Sequence, residues 1–348
     1  MSFIFPLIFI IFGSSSMIMV SKRRFEEVLP FFLMCSILII FLSGFLNQLM
    51  IGYIIAFTVA AIFPIFIIIQ LIKRKDLSDL RKKIFTPGFC VFLILYTFIY
   101  ILNVNRGFTI WDEISHWGPM VKETLRIDKF YSAAESALVV HKDYPPAITL
   151  FEAIWCKLSG GYKEAYLYTS LQILSLSLFF PALSKFNWTK NRNTVLKIVL
   201  LVIVILSANI IIRVGEASFY QTIYIDCFLG LLFGHCLFLV VQEKQLTKFG
   251  LSRLSAALTV LLLTKQMGLV FFLIVLAAFV INQSIIHRNT FKEIISRKPT
   301  KQSTILMISV LICILVVPML FMFSWNTYLS AHDIHGQFSI SDIKIIEL

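Results

Sequence analysis

Charge is scarce in this sequence: only 14% of its 348 residues are Asp, Glu, Lys or Arg, against about a quarter in a soluble globular domain. A chain so poor in charge cannot cover a water-facing surface, and a soluble fold is excluded. Glycine (14) and proline (10) are too few for a collagen-like or low-complexity chain. With 58% hydrophobic residues the chain is equally far from intrinsic disorder. The six cysteines, Cys35, Cys90, Cys156, Cys227, Cys236 and Cys313, fall in or beside apolar runs with no CxxC pair, so they read as small packing residues rather than as a disulfide framework or a metal cage. No GxSxG, HExxH, glycine-rich phosphate loop or dinucleotide fingerprint occurs.

What the sequence has in excess is apolar length. Runs of spanning size occur at about 3–20, 28–46, 49–72, 86–104, 163–184, 195–212, 222–241, 251–264, 266–286 and 304–324, where a spanning helix needs roughly 17–25 residues. The fold class predicted is therefore an all-α integral membrane protein of about ten transmembrane helices. The run at 251–264 is short and nearly abuts the next, so the pair reads either as two short spans or as one re-entrant hairpin. Three regions follow: spans within 1–85, a core over 86–285 with a long loop at 105–162, and 286–348 with a basic loop, the last span and a short tail.

Lys and Arg set the orientation, because they collect on the cytoplasmic side of short loops. Alternate loops hold 21 of the 31 basic residues and six acids, a net of +15, while the rest of the chain nets −3. The prediction is a multi-pass protein of the cell membrane with its N-terminus and the 105–162 loop outside. The overall charge of +12 is then mainly topological; it calls for no nucleic-acid partner, and the basic fringe attracts anionic membrane lipid. Residues 1–20 do not read as a secretory signal, since no Lys or Arg precedes the apolar run.

The chemically interesting side chains gather in the long loop. It opens WDEISHWGPMVKETLRIDKFYS, directly after the run 86–104, and closes HKDYPPAITLFEAIWCKLSGG. If Trp111–Trp117 is helical, Asp112 and His116 share one face at a spacing of four, as do Glu113 and Trp117, and Gly118-Pro119 ends that turn. A carboxylate and an imidazole side by side can share a proton or a divalent ion. The competing reading makes Trp111 and Trp117 an interfacial belt and Asp112 a helix cap; it is the better one for the tryptophans and the poorer one for Asp112. Residues 121–130 read as an amphipathic interfacial helix. Pro145 and Pro146 fix a rigid turn back toward the membrane, which holds Asp143 and Tyr144 at a defined depth.

Charges also lie within or at the lips of apolar runs: Arg213, Glu216, Asp226, Lys265 and Glu152. Ionisable groups there are costly and face a bundle interior or a wet cavity. Glu216, Tyr220 and Tyr224, four apart, would form one stripe of a helix, with Asp226 facing elsewhere on it. Internal pairing, for example Asp226 with Lys265, would account for two of these charges without any functional role. By the predicted topology Arg213, Glu216, Asp226 and Lys265 all fall toward the outer half, on the same side as Asp112 and Asp143.

An acidic WDE at the end of an apolar helix, a long outer loop with an interfacial helix, a closing DYPP, a Tyr-x-Asp and LLTKQMG before another span together resemble the GT-C superfamily over roughly 86–285. These are polytopic glycosyltransferases that take a sugar from a polyprenyl-phosphate lipid, among them protein O-mannosyltransferases and aminoarabinose transferases. The resemblance implies that Asp112 is the general base on the acceptor or a metal contact, that Glu113 is the second acid of the pair, and that Asp143, with Asp112, contacts a divalent cation such as Mg2+ or Mn2+. It implies that Lys265 meets the lipid phosphate and that Tyr224 and Asp226 line the cavity. Beside these, Arg213 is a second candidate for the phosphate, and Tyr144, Glu216 and Tyr220 are further candidates for the cavity lining. His116 joins the catalytic group through its spacing from Asp112. The implied partners are a polyprenyl-phosphate-linked sugar and a cell-envelope acceptor, with no nucleotide cofactor. Three spans precede the WDE helix, whereas in the family that helix usually comes first. Two other classes stay open: a transporter or flippase of a lipid-linked or anionic solute, and a non-catalytic membrane subunit of GT-C-like origin.

Overall fold

The computed structural model describes residues 3–188, 195, 197–199, 202, 213–214, 217–218, 222–242, 247–286, 305 and 308–334. Described elements are helices apart from one two-residue antiparallel pair, Arg213–Val214 with Ala217–Ser218. The chain runs through α1 (Ile4–Ser21), α2 (Phe25–Gly44), α3 (Leu49–Ile72), α4 (Ser78–Ile84) and α5 (Pro87–Asn103). The loop that follows holds a π-turn (Glu113–Trp117), α6 (Gly118–Ile127) and α7 (Ala147–Ser159). Then come α8 (Glu164–Ser177), a 3-10 helix (Phe180–Lys185), α9 (Ile225–Gln242), α10 (Lys248–Leu262), α11 (Gly268–Ile286) and α12 (Val317–Ala331), the last continuous with a π-turn at Ile312–Val316.

Among the described residues six helices are long and apolar enough to cross a membrane: α1, α2, α3, α9, α11 and the 24-residue helix Ile308–Ala331. Counting α4 and α5, which meet at 46°, as one bent span makes seven. This supports a multi-pass membrane protein, and the described residues do not establish the count of ten spans. The run at 163–184 divides into the 14-residue α8 and a 3-10 helix, and that at 251–264 becomes the 15-residue α10, both helices shorter than a usual span of roughly 17–25 residues. The run at 195–212 lies largely outside the described residues. The first of these, at 163–184, nonetheless links the two ends of the bundle. Glu164, which opens α8, accepts from the backbone of Phe108 (2.6 Å), and Phe186, beyond the 3-10 helix, accepts from Arg24 (2.5 Å).

Packing is between helices that are apolar all round, as membrane helices must be. α1 lies on α2 and α3, α2 also touches α7 and α10, and α9, α10 and α11 pack together with α12 against α10. Buried polar pairs cross-link them: the Asn103 amide donates to Gln172 across α5 and α8 (2.6 Å). Of the six cysteines, all free, Cys156, Cys227 and Cys236 are buried and Cys90 is exposed.

The two ends of the bundle differ. At one, Arg24 donates to Asn187 (2.7 Å), to the Phe186 carbonyl and to Glu26 (3.2 Å), while Glu26 also accepts from the backbone of Gly88 (3.2 Å). This clamp ties α2 to the start of α5 and to the end of the 3-10 helix among the basic loops. At the other end, α6 docks on the turn between α2 and α3: Asp128 closes α6 in a left-handed conformation (φ 53°) and accepts from the backbones of Leu49 (3.0 Å) and Met50 (3.1 Å). Phe3, at the start of α1, accepts from the Tyr96 hydroxyl (2.9 Å) and packs on Tyr100, so the described N-terminus lies toward the C-terminal end of α5.

Candidate functional site

The acidic loop opens as a helix, but not the one its spacing predicts. Gly118-Pro119 does not end the turn; helix continues through both into α6. Proline is tolerated in a first helical turn because it lacks an N–H that would be unpaired there. Without the donor at 119, the backbone widens by one residue and Gly118 donates to Glu113, five back. A Cβ at 118 would stand 2.2 Å from the Phe108 ring and 2.8 Å from the Glu113 carbonyl, so only glycine fits this closure. The widened turn separates the two tryptophans. Trp111 is 76% exposed, whereas Trp117 is buried against Tyr144, with ring centroids 5.3 Å apart, and only the first can serve an interfacial belt.

Glu113 points inward and is fully buried. Its carboxylate accepts from the Tyr168 hydroxyl (2.7 Å) and the backbones of Thr109 (3.1 Å), Ile110 (3.2 Å) and Ile223 (3.0 Å). One side chain thus fastens the loop to α8 and to the segment leading into α9, 110 positions away in sequence. Three of these donors meet Oε2 and one meets Oε1, and its role in this arrangement is to hold its neighbours in place.

Asp112, next in the chain, is half-buried and takes the opposite direction. Burial, followed by the Asp112 charge, raises the Tyr224 hydroxyl above its usual range. His116 remains beside Asp112 as the i,i+4 spacing requires. Burial, then the His141 imidazole, lower the His116 pKa to about 4 against the pull of Asp112, with Lys265 adding to the depression. Its Nδ1 is 2.9 Å from the Ser115 hydroxyl. At neutral pH His116 is therefore an uncharged imidazole next to a carboxylate. His141 adopts φ 58° and stacks between His116 and Tyr144, at 4.4 Å and 4.6 Å between ring centroids.

The far end of the loop meets the start of α11 here. Asp143 is 5% exposed; it accepts from the Gln266 amide (2.9 Å), and its carbonyl accepts from the Trp325 indole (3.4 Å). The Tyr144 carbonyl accepts from Tyr131, and Ala147 donates to Leu263 (3.0 Å) at the end of α10. Beside it Lys265 and Asp226 pair at 2.6 Å, both still partly open to solvent. Tyr144 registers the convergence: burial raises its hydroxyl, and the carboxylates of Asp143, Asp112 and Asp226 push in the same direction.

Asp112, His116, Asp143, Tyr144, Tyr224, Asp226 and Lys265 thus gather at one end of the bundle, around a floor fixed by Glu113. Tyr224 sits in irregular backbone, not on a helix, since α9 begins at Ile225; the expected helical stripe through Tyr224 does not form, because Glu113 captures the Ile223 backbone just before it. Glu216 and Tyr220 lie outside the described residues, and of Arg213 only the backbone pairing with Ser218 is described. Among the described residues no three His, Cys, Asp or Glu side chains gather to hold a metal ion; Asp143 shares one oxygen with Gln266 and Asp226 one with Lys265. Glu152 stands apart in α7, where burial raises its carboxyl well above the usual range.

Three site residues escaped sequence reasoning: Tyr168, Gln266 and His141. A tyrosine in an apolar run needs a partner for its hydroxyl, which was the available signal for Tyr168. No family profile, curated protein or solved structure matches this chain.

Proposed function

We propose that the protein is a membrane glycosyltransferase that moves a sugar from a polyprenyl-phosphate carrier to an acceptor in the cell envelope, at the end of the bundle lined by Asp112, Asp143 and Lys265. The observation that supports it is the meeting there of a half-buried carboxylate, an uncharged imidazole and a lysine, drawn from segments up to 153 positions apart, at the rim of apolar helices where a lipid head group would lie.

The chemistry needs little more. An acceptor hydroxyl gives its proton to Asp112, with His116 alongside, as its oxygen forms a bond to the anomeric carbon. The bond from that carbon to the phosphate oxygen breaks, and the electron pair leaves with the phosphate. Lys265, shared with Asp226, offsets the charge on the departing group. Glu113 and Tyr168 hold the base, and Gln266 holds Asp143.

The basic loops at the opposite end favour a cytoplasmic side there, so the reaction falls on the outer face. The test is Asp112→Asn in membranes supplied with a radiolabelled polyprenyl-phosphate sugar. Loss of the positioned base lowers transfer by about 10²–10⁴-fold, with normal expression and unchanged binding of the lipid. Undiminished transfer would remove Asp112 from the mechanism. A non-catalytic membrane subunit is the second reading, favoured by the Lys265–Asp226 pair, which satisfies both charges internally. It predicts no transfer by the intact protein with any such donor.

A further inference from the structure

At the basic end a groove of about 700 Å³ runs between α1, α3 and the start of α10. Its lining is largely apolar, with Met17, Phe31, Val59 and Ile62, and includes the cations Arg23 and Lys248. Ile62 is 46% exposed, on a face of α3 that continues through Ile65, Ile68 and Ile69, all exposed; the groove therefore opens sideways toward acyl chains. Among the described residues no carboxylate pairs with Arg23 or Lys248. The acids nearest Arg23 in sequence are engaged, Glu26 by Arg24 and the Gly88 backbone, and Glu27 by the Arg24 backbone; Glu243, the nearest to Lys248, lies outside the described residues. The Arg23 guanidinium lies over the Phe249 ring at 5.6 Å, which holds it at the groove rather than free in solution.

From this combination we propose that the groove is a binding site for one anionic phospholipid of the membrane, with an acyl chain between α1 and α3 and the phosphate between Arg23 and Lys248. A free anion would gain nothing from the apolar floor, and a zwitterionic lipid, whose choline cation cancels its own phosphate, would bring no net negative charge to the two cations. The volume lies within the roughly 300–1,000 Å³ of ordinary ligand pockets. The bound lipid would tie α1 and α3 to α10, whose opposite end leads to Lys265, and it acts as a structural ligand independent of the sugar-transfer proposal.

The experiment uses the full chain in nanodiscs of equal phosphatidylglycerol and phosphatidylcholine, with a photoactivatable diazirine in the acyl chain of one or the other. Phosphatidylglycerol is expected to label the segments around Met17 and Phe249 well above phosphatidylcholine. Each basic residue near a membrane surface contributes about fivefold to anionic lipid attraction, so R23Q/K248Q should reduce that preference about thirtyfold. R81Q/K82Q, at the same end but outside the groove, leaves it unchanged, and Val59→Trp blocks labelling by both probes. Equal labelling by the two lipids in the wild-type protein overturns the proposal even if the double variant does not fold. So does an undiminished preference in R23Q/K248Q.

Discussion

Removing the acceptor at Glu113 should unfasten the loop without unfolding the bundle. In Glu113→Gln one oxygen can still serve one side of the site, but the amide nitrogen must then face either the Ile223 backbone N–H, now 3.0 Å from Oε1, or the donors at Oε2, where the Tyr168 hydroxyl lies at 2.7 Å. Ile223 and Tyr168 are both buried, so water cannot replace the lost partner, and a buried unsatisfied donor costs about 1–3 kcal/mol. Thr109 is exposed and can rehydrate. Taking about 2 kcal/mol for the buried pair, opening of this segment becomes about thirtyfold more frequent. Hydrogen exchange of the peptide spanning residues 222–228 reads this directly, against α2 as an internal standard. Tyr168→Phe should produce an effect of similar size by removing a hydrogen bond to a charged group, and the double variant should fall short of the sum, because the two groups share one bond. Exchange at Ile223 within twofold of wild type in Glu113→Gln would refute the anchoring role.

Other consequences are independent of this one. His116 has a folded pKa of about 4 against an ordinary 6.5, so between these values the unfolded chain binds the extra proton; stability should fall as pH drops from 6.5 to 4, by up to about 3 kcal/mol. Thermal unfolding in detergent should show that slope flattened in His116→Gln, and an unchanged slope would discard the assignment. Gly118→Ala places a methyl 2.2 Å from the Phe108 ring and should cost about 1–3 kcal/mol through overpacking, measured as a lowered unfolding temperature; no loss would mean that the π-turn is not confined to glycine. Arg24→Ala leaves Glu26 buried without its cation, with a side-chain exposure of 0%, and should cost about 3–5 kcal/mol. Its readout is the same unfolding assay, with Lys83→Ala, at a solvent-exposed ion pair, as the near-neutral comparison.

The contrast between what the sequence announces and what it conceals has a physical origin. Spanning helices are dictated by composition, because backbone polar groups must be satisfied within the segment in lipid, so α1, α2, α3, α9 and α11 follow from apolar length alone. The same rule is silent about α8 and α10, whose polar residues Gln172 and Arg253 are buried by neighbours rather than by lipid. Within the site, i,i+4 spacing places His116 beside Asp112, and the Lys265–Asp226 pair is one that charge complementarity alone proposes. The inward turn of Glu113 is different in kind. It depends on a missing N–H at Pro119, a glycine beside Phe108 and a backbone donor at Ile223, each supplied by a different stretch of chain. Adjacent acids look equivalent in a sequence, yet the widened turn sends Glu113 to four donors and leaves Asp112 half-open beside Tyr224 and His116. That division leaves Asp112 as the member of the pair open to a ligand, and it makes Glu113 the group that fixes the backbone on which Asp112 stands.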